Sequence, residues 1–525
     1  MPTHHVTYRA TGRFAPIVCD YIEGSRALRE FYTRTPDKKG LEDALSSRQF
    51  DPGMRATLCT AINQGYSGVE VPPAVRKNID ALRREGTFTV TTGHQLCLFT
   101  GPLYVPFKIL NTVRLAAELS TAQRPVVPVF WMATEDHDRD EIDHVRVAGT
   151  KLSWPGSAGG AVGRMKLKGI EALLAELDPL LGSGPHAEEL RAILRSAYQE
   201  ERTLAEATRH FVNALFGRFG VVVVDGDDPA LKRAFAPIMQ EELLNEVAAR
   251  SVRYANEKLE PHYTIQAHVR DLNLFHMRPG HRSRIERDGD LYKVLDDGPV
   301  FTLDNLVIEL QLRPQQFSPN VLLRPVYQET VLPNIAYVGG GGELAYWLQL
   351  RWLFQALQVP MPALLLRTSA AFLSEKQTAR VRSLGLEVAD LFTSKVELEK
   401  RVALERASFS TSLNDERSAQ SQFYKDLAVR AKAADPSLEA SVGARAAQAL
   451  KGLDKIERQL VRAAKQQQAD ALRQLGEVLT TLFPDGLQER SDNFMPWYAA
   501  EGPAFFDRLL EALDPLDPRF SVIEG

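Results

Sequence analysis

Four short stretches carry side chains whose types and spacing could do chemistry. In TTGHQLCLFTGP, residues 91–102, Gly93 and Gly101 would let the backbone approach a ligand, while His94 and Gln95 can donate hydrogen bonds to phosphate oxygens. In EDHDRDEIDHV, residues 135–145, Glu135, Asp136, Asp138, Asp140, Glu141 and Asp143 surround His137 and His144. So many carboxylates would repel an isolated phosphate and suit an ammonium group, a magnesium ion, or a general base for an amine nucleophile. In YVGGGGELAYWLQL the run Gly339, Gly340, Gly341, Gly342 lies between Tyr337 and Glu343. The main-chain NH groups of such a turn can hug adenosine or a pyrophosphate. In LLLRTSAAFLSEK, Arg367 and Ser369 could stabilise a leaving pyrophosphate. Each stretch also has a plain structural reading: satisfied loop carbonyls, a solvated acidic turn, a glycine loop, a surface ion pair. Cys97, inside the first stretch, fits a buried inert thiol.

What positions these groups is a series of short apolar runs. TFTVTTG from Thr87 is β-branched and precedes LYVPFKILNTVRLAAEL, whose apolar residues recur at helical spacing. Val126 to Thr134 is almost continuously apolar, as a strand buried on both faces of a parallel sheet would be. Val221 to Val224 predicts another strand, followed by a helix with Asp228 as its cap and Pro229 in its first turn. Further strands are expected at Ala336 to Val338 and at Ala363 to Leu366. Strands alternating with helices predict an α/β fold with a Rossmann-like parallel sheet and ligands at the strands' carboxyl ends.

The expected organisation is an N-terminal helical segment over 1–85 and a core over 86–372 with insertions near 145–215 and 255–325. A helical coiled-coil domain over 373–485 and a segment over 486–525 returning to the body complete it. The last third is rich in helix formers, Asp435 and Pro436 mark a stop and restart, and Leu453, Ile456 and Leu460 recur at heptad spacing. Gln467 then weakens the seam, so a hairpin and a dimer seam are equally compatible with the pattern.

Composition narrows the class. With 44% hydrophobic and 25% charged residues the chain reads as globular, and a net charge of −4 offers no general attraction to nucleic acid. Neither a secretory leader nor a run of roughly 18 apolar residues is present, which leads us to expect a cytoplasmic protein without a membrane partner. Three irregularly spaced cysteines fit neither a disulfide framework nor a structural zinc site.

TTGHQ followed by TGP, then ATEDHD, YVGGGGE and LFPDGLQER, in that order across nearly the whole chain, resembles the BshC family of cysteine ligases of bacillithiol synthesis. The resemblance implies a Rossmann-like core similar to that of class I aminoacyl-tRNA synthetases, with connecting-peptide insertions and a C-terminal coiled-coil arm used for homodimerisation. It implies joining of L-cysteine to the amino group of glucosaminyl-malate, with ATP as a substrate, Mg²⁺ accompanying the nucleotide, and no tightly bound metal. Under it His94 and Gln95 orient phosphates, and Gly93, Gly101 and Tyr337 to Glu343 border the nucleotide. Arg367 and Ser369 meet leaving-group charge. Glu135, Asp136, His137 and Asp138 hold the cysteine ammonium or take a proton, and Arg324 and Lys108 face the malate carboxylates. The synthetases' HIGH turn survives only as GHQL, and their lysine-rich loop at best as LRTSAAFLSEK. Two rival readings are a metal-dependent amide hydrolase built on the EDHD cluster and a non-enzymatic coiled-coil adaptor with a vestigial nucleotide fold.

Overall fold

A computed structural model describes residues 2–156 and 159–525. The chain forms two compact units: the larger comprises Val6–Ala370 with Leu487–Ser521, and the smaller is built on Ala371–Gly486 with short pieces of both chain ends.

At the centre of the larger unit five strands, β1 (Phe88–His94), β2 (Val126–Met132), β3 (Val222–Asp225), β4 (Asn334–Gly339) and β5 (Ala363–Leu366), lie in the order β3-β2-β1-β4-β5. All four pairings are parallel. Every residue of β2 is buried, as its unbroken apolar run requires, and Tyr104–Leu119 packs on β1 and β2. Register aligns the carboxyl ends: His94 faces Met132, Met132 faces Asp225, and Gly339 faces Leu366. Strand order reverses between β1 and β4, and the crevice opened there is where sheets of this kind hold ligands. The helix after β3 starts as expected, Asp228 accepting hydrogen bonds from the NH groups of Ala230 and Leu231.

The long polar stretches have structure of their own. The first holds the hairpin His144–Val147 with Thr150–Ser153 and the helices Ile170–Leu177, Pro185–Ala197 and Leu204–Phe216. The second holds a five-stranded antiparallel sheet with Leu274–Arg278 between His281–Asp288 and Phe317–Pro319. The N-terminal segment, expected as helices alone, opens on the strand Thr3–Thr7 before its helical run.

The smaller unit is mainly helical. Ser374 to Ser412, rich in helix formers, divides into Glu375–Ser383, a short 3₁₀ turn and Lys395–Glu405, the turn falling after Gly385. Asn414–Ala434 and Leu438–Gln467 then form a hairpin turning at Asp435 and Pro436, and Arg417 reaches across it to Asp454 at 2.6 Å and Glu457 at 2.9 Å. Among the described residues the first of these helices buries none and the second only Ala464. Among the described residues no helix is long and apolar enough to cross a membrane.

Candidate active site

The ends of β1, β2, β4 and β5 open onto one cavity of about 690 Å³, lined entirely by residues of the larger unit. One wall is the strand-end turns: Gly93, His94 and Gln95, then Glu135, Asp136 and His137, then Gly340 to Glu343, and Arg367. The facing wall is the insertion sheet, with Phe275, Arg282 and Arg284. Pockets of this volume hold small molecules. Seven lysines and arginines line it against three carboxylates, so a chain of net charge −4 presents a positive concavity that concentrates anions.

A buried clamp joins the two sides of the crevice. Lys108, on the helix after β1, donates to the Gly93 carbonyl at 2.5 Å and to Glu343 Oε2 at 2.6 Å. Glu343 also accepts from the Gly340 NH at 2.7 Å and from the Tyr337 hydroxyl at 2.5 Å, and the Tyr337 ring stacks on Trp347. Burial alone would raise the Glu343 carboxyl, but Lys108 and these hydrogen bonds outweigh it and hold it at about 2. Burial lowers the Lys108 ammonium, against the pull of Glu343. Lys108 was expected to face a substrate carboxylate, and the structure commits it to a protein one. In the glycine run a Cβ at Gly339 would press on Leu344 at 2.8 Å, whereas one at Gly342 would meet nothing within 4 Å. The run is tight at its start, against the end of the Leu344 side chain, and among the described residues it is open at its end.

His94 is half-buried, edge-on to Tyr104, with Nε2 3.6 Å from Cys97 Sγ. Burial, with the charge of Lys108, pushes its imidazole down to about 3, so near neutrality it offers one donor and one acceptor and no charge. Burial pushes the Cys97 thiol up to about 12, which suits an inert packing residue. Gln95 does not present its amide protons to a ligand: they donate to Asp136 Oδ2 at 2.8 Å and Glu141 Oε2 at 2.7 Å, which leaves the amide oxygen. Asp136 Oδ1 accepts from the NH groups of His137, at 2.7 Å, and Asp138, at 3.3 Å. Burial opposes ionisation of Asp136, but the bonds from His137 and Gln95 and the nearby Arg282 charge hold it well below the usual carboxylate range. Asp138 contributes that NH alone, since its side chain is exposed and away from the cavity wall. Glu135 is buried 2.8 Å from Lys232, which also holds Asp227 at 2.7 Å; burial pushes the Glu135 carboxyl up and Lys232 opposes it.

Arg367 lines the cavity, but Glu489 grips it bidentately at 2.9 and 2.8 Å and its guanidinium lies over Tyr104. Its Nε is buried without a hydrogen-bond partner among the described residues, 3.9 Å from where a Cβ at Gly340 would stand. Ser369 is buried, accepts from Arg367 at 3.1 Å, and does not line the cavity. Arg324 does line it and donates to Gln328 and to the Tyr346 hydroxyl, both at 3.1 Å. Gly101 lies off the cavity: its φ of 69°, and a Cβ position 2.5 Å from that of Cys97, explain the glycine without a ligand.

Two family models match the chain. "Bacillithiol biosynthesis BshC, N-terminal Rossmann-like domain" covers residues 1–368, and "Bacillithiol biosynthesis BshC, C-terminal coiled-coil domain" covers residues 370–525. The chain belongs to the BshC family. Relatives named "Putative cysteine ligase BshC" include those of Flavobacterium johnsoniae, 36% identical over all of both chains, and Christiangramia forsetii, 36% identical over 100% of this chain and 99% of its own. That of Cytophaga hutchinsonii is 37% identical over 96% and 95%. Membership places the chain among ligases of bacillithiol synthesis and accounts for the Rossmann-like sheet and helical arm of this BshC protein.

Sequence reasoning missed the facing wall. Arg282 sits in a strand beginning just after a Pro279–Gly280 turn, in FHMRPGHRSRIERDG, and inward Ser283 and Ile285 alternate there with outward charges. That strand-period alternation about a turn was the available signal. Asn493, which donates to the Phe99 and Gly101 carbonyls, was also missed, although it closely follows the LFPDGLQER string.

Proposed function

We propose that this BshC-family chain joins L-cysteine to the amino group of glucosaminyl-malate, using ATP to activate the cysteine carboxylate. An amide does not form readily from a free carboxylate in water, and each tenfold in rate needs about 1.4 kcal/mol off the barrier, so an activated acyl group is the chemical requirement. In the adenylate route the cysteine carboxylate attacks the α-phosphorus and pyrophosphate leaves; the sugar amine then attacks the acyl carbon, AMP leaves, and one proton is released. The observation that carries the reading is the convergence of strand-end turns on one positive cavity at the reversal of strand order.

Within it each group has a task that its geometry permits. His94 donates one hydrogen bond to a phosphate oxygen, and the open end of the glycine run admits the nucleotide. The unpartnered Arg367 Nε meets leaving-group charge beside Gly340. Ionised Asp136 holds the cysteine ammonium or takes the proton of the attacking amine. Mg²⁺ enters with the nucleotide, and the working form is a cytoplasmic homodimer, to be checked by light scattering. The decisive assay incubates the purified chain with cysteine, glucosaminyl-malate and ATP and follows products by mass spectrometry. Condensed thiol with AMP is expected, ADP in its place would mean acyl-phosphate activation, and folded protein that yields no condensed thiol overturns the proposal.

A further inference from the structure

Of the cavity's arginines, Arg282 has the least expected setting. It comes from the insertion sheet, lies over Phe275 with its guanidinium 4.0 Å from the ring centre, and feels the charges of Glu135, Asp136 and Asp227 without a direct ion pair among the described residues. Nε donates to Ser318 Oγ at 3.0 Å and Nη2 to the Pro319 carbonyl at 2.8 Å, which fixes the plane of the group. Nη1 stands 2.9 Å from His137 Nδ1. A guanidinium can only donate, so His137 Nδ1 accepts and the ring proton sits on Nε2. The ring leans on Phe275, is partly open to solvent, and lines the cavity, and its Nε2 has no hydrogen-bond partner among the described residues. Asp136 Oδ1 stands 3.6 Å from the same Nδ1, farther than Arg282 Nη1 and beyond hydrogen-bond reach, and the Asp136 oxygens are engaged by Gln95 and two backbone NH groups. Arg270, Arg284 and His268, all exposed, line the same cavity.

We infer that Arg282 and His137 form an oxyanion-binding subsite on the insertion wall, in which Arg282 supplies charge and fixes His137 as a hydrogen-bond donor. Two substrate groups of the proposed reaction have this chemistry, the carboxylates of the amine-bearing substrate and the phosphates of the nucleotide. The subsite rests on the ligase reading only for the ligand's identity.

The full chain is titrated by calorimetry with L-malate and, separately, with inorganic phosphate, comparing the native protein with Arg282→Gln and with His137→Leu. His137 is exposed enough for its replacement to leave folding intact, so the test survives if Arg282→Gln does not fold. At least tenfold weaker binding is expected in Arg282→Gln and severalfold weaker in His137→Leu. Weakening for malate assigns the subsite to substrate carboxylates, and weakening for phosphate assigns it to the nucleotide. In turnover the matching KM should rise more than kcat falls, and Arg282→Lys should restore charge without restoring full affinity. Unchanged binding of both anions in folded variants, or no binding by the native protein, overturns the inference. These titrations need no turnover, so a failed condensation assay and a failed subsite are told apart.

Discussion

The cavity at the sheet end and the helical hairpin over Asn414–Gln467 are both rich in charge, and they use it in opposite ways. In the hairpin Arg417, Asp454 and Glu457 meet with between 33% and 46% of each side chain exposed, on helices that bury one described residue between them. Around the cavity Lys108 and Glu489 are almost wholly buried, and each is held by partners at fixed distances. An exposed pair trades water for a partner at little net change, whereas a buried charge that loses its partner keeps the full cost of leaving water. Charge at the sheet end therefore fixes geometry, and charge on the hairpin mainly keeps it solvated.

The comparison breaks most visibly at Arg367 and Glu489. Glu489→Gln should lower the stability of the larger unit by about 3–5 kcal/mol in urea unfolding followed by tryptophan fluorescence, because it leaves a buried guanidinium uncompensated. A smaller loss would mean that water reaches the pair. Lys108→Met comes next: stability should fall by about 2 kcal/mol and ligase activity more steeply, and Glu343→Gln in the same chain should recover part of the stability. Strict additivity of the two changes would remove the clamp from the account.

A third test sharpens the contrast through pH. Glu329 is fully buried, and burial raises its carboxyl to about 7, against Arg48 and the hydrogen bonds from Asn334 and Gln328. Between about 4.5 and 7 the folded state retains a proton that the unfolded state has lost, so this group's contribution is full at low pH and declines as pH rises through 7. Glu329→Gln should remove a decline on the order of a few kcal/mol from the wild-type pH profile, and superimposable profiles would refute the assignment. Smallest of all, Arg417→Ala should leave the unfolding midpoint unchanged within error. A clear shift there would show that the hairpin's ion pairs hold more than its surface.

How far the sequence announced this follows the same division. The strands were legible because short apolar runs end abruptly in glycine, histidine or a charged residue, and the observed β1 to β5 fall within two residues of the expected limits. The turns lining the cavity were legible for the same reason. The partners were not, because they are distant in the chain: Glu343 lies 235 residues from Lys108, and Glu489 122 residues from Arg367. Residue type marks Lys108, Gln95 and Ser369 as able to bind a ligand, and only the folded chain reveals that the protein already engages them. The facing wall escaped notice because short strands with outward charges read as a polar connection.

Asn493 pins the loop after β1 through the carbonyls of Phe99 and Gly101, nearly 400 residues upstream. On the ribosome, β1 and its loop emerge early and wait for that amide through most of translation. A nascent chain stopped before residue 493 lacks that amide and also the buried Phe494, Phe505 and Phe506, so the loop after β1 is fixed only after translation has passed these residues.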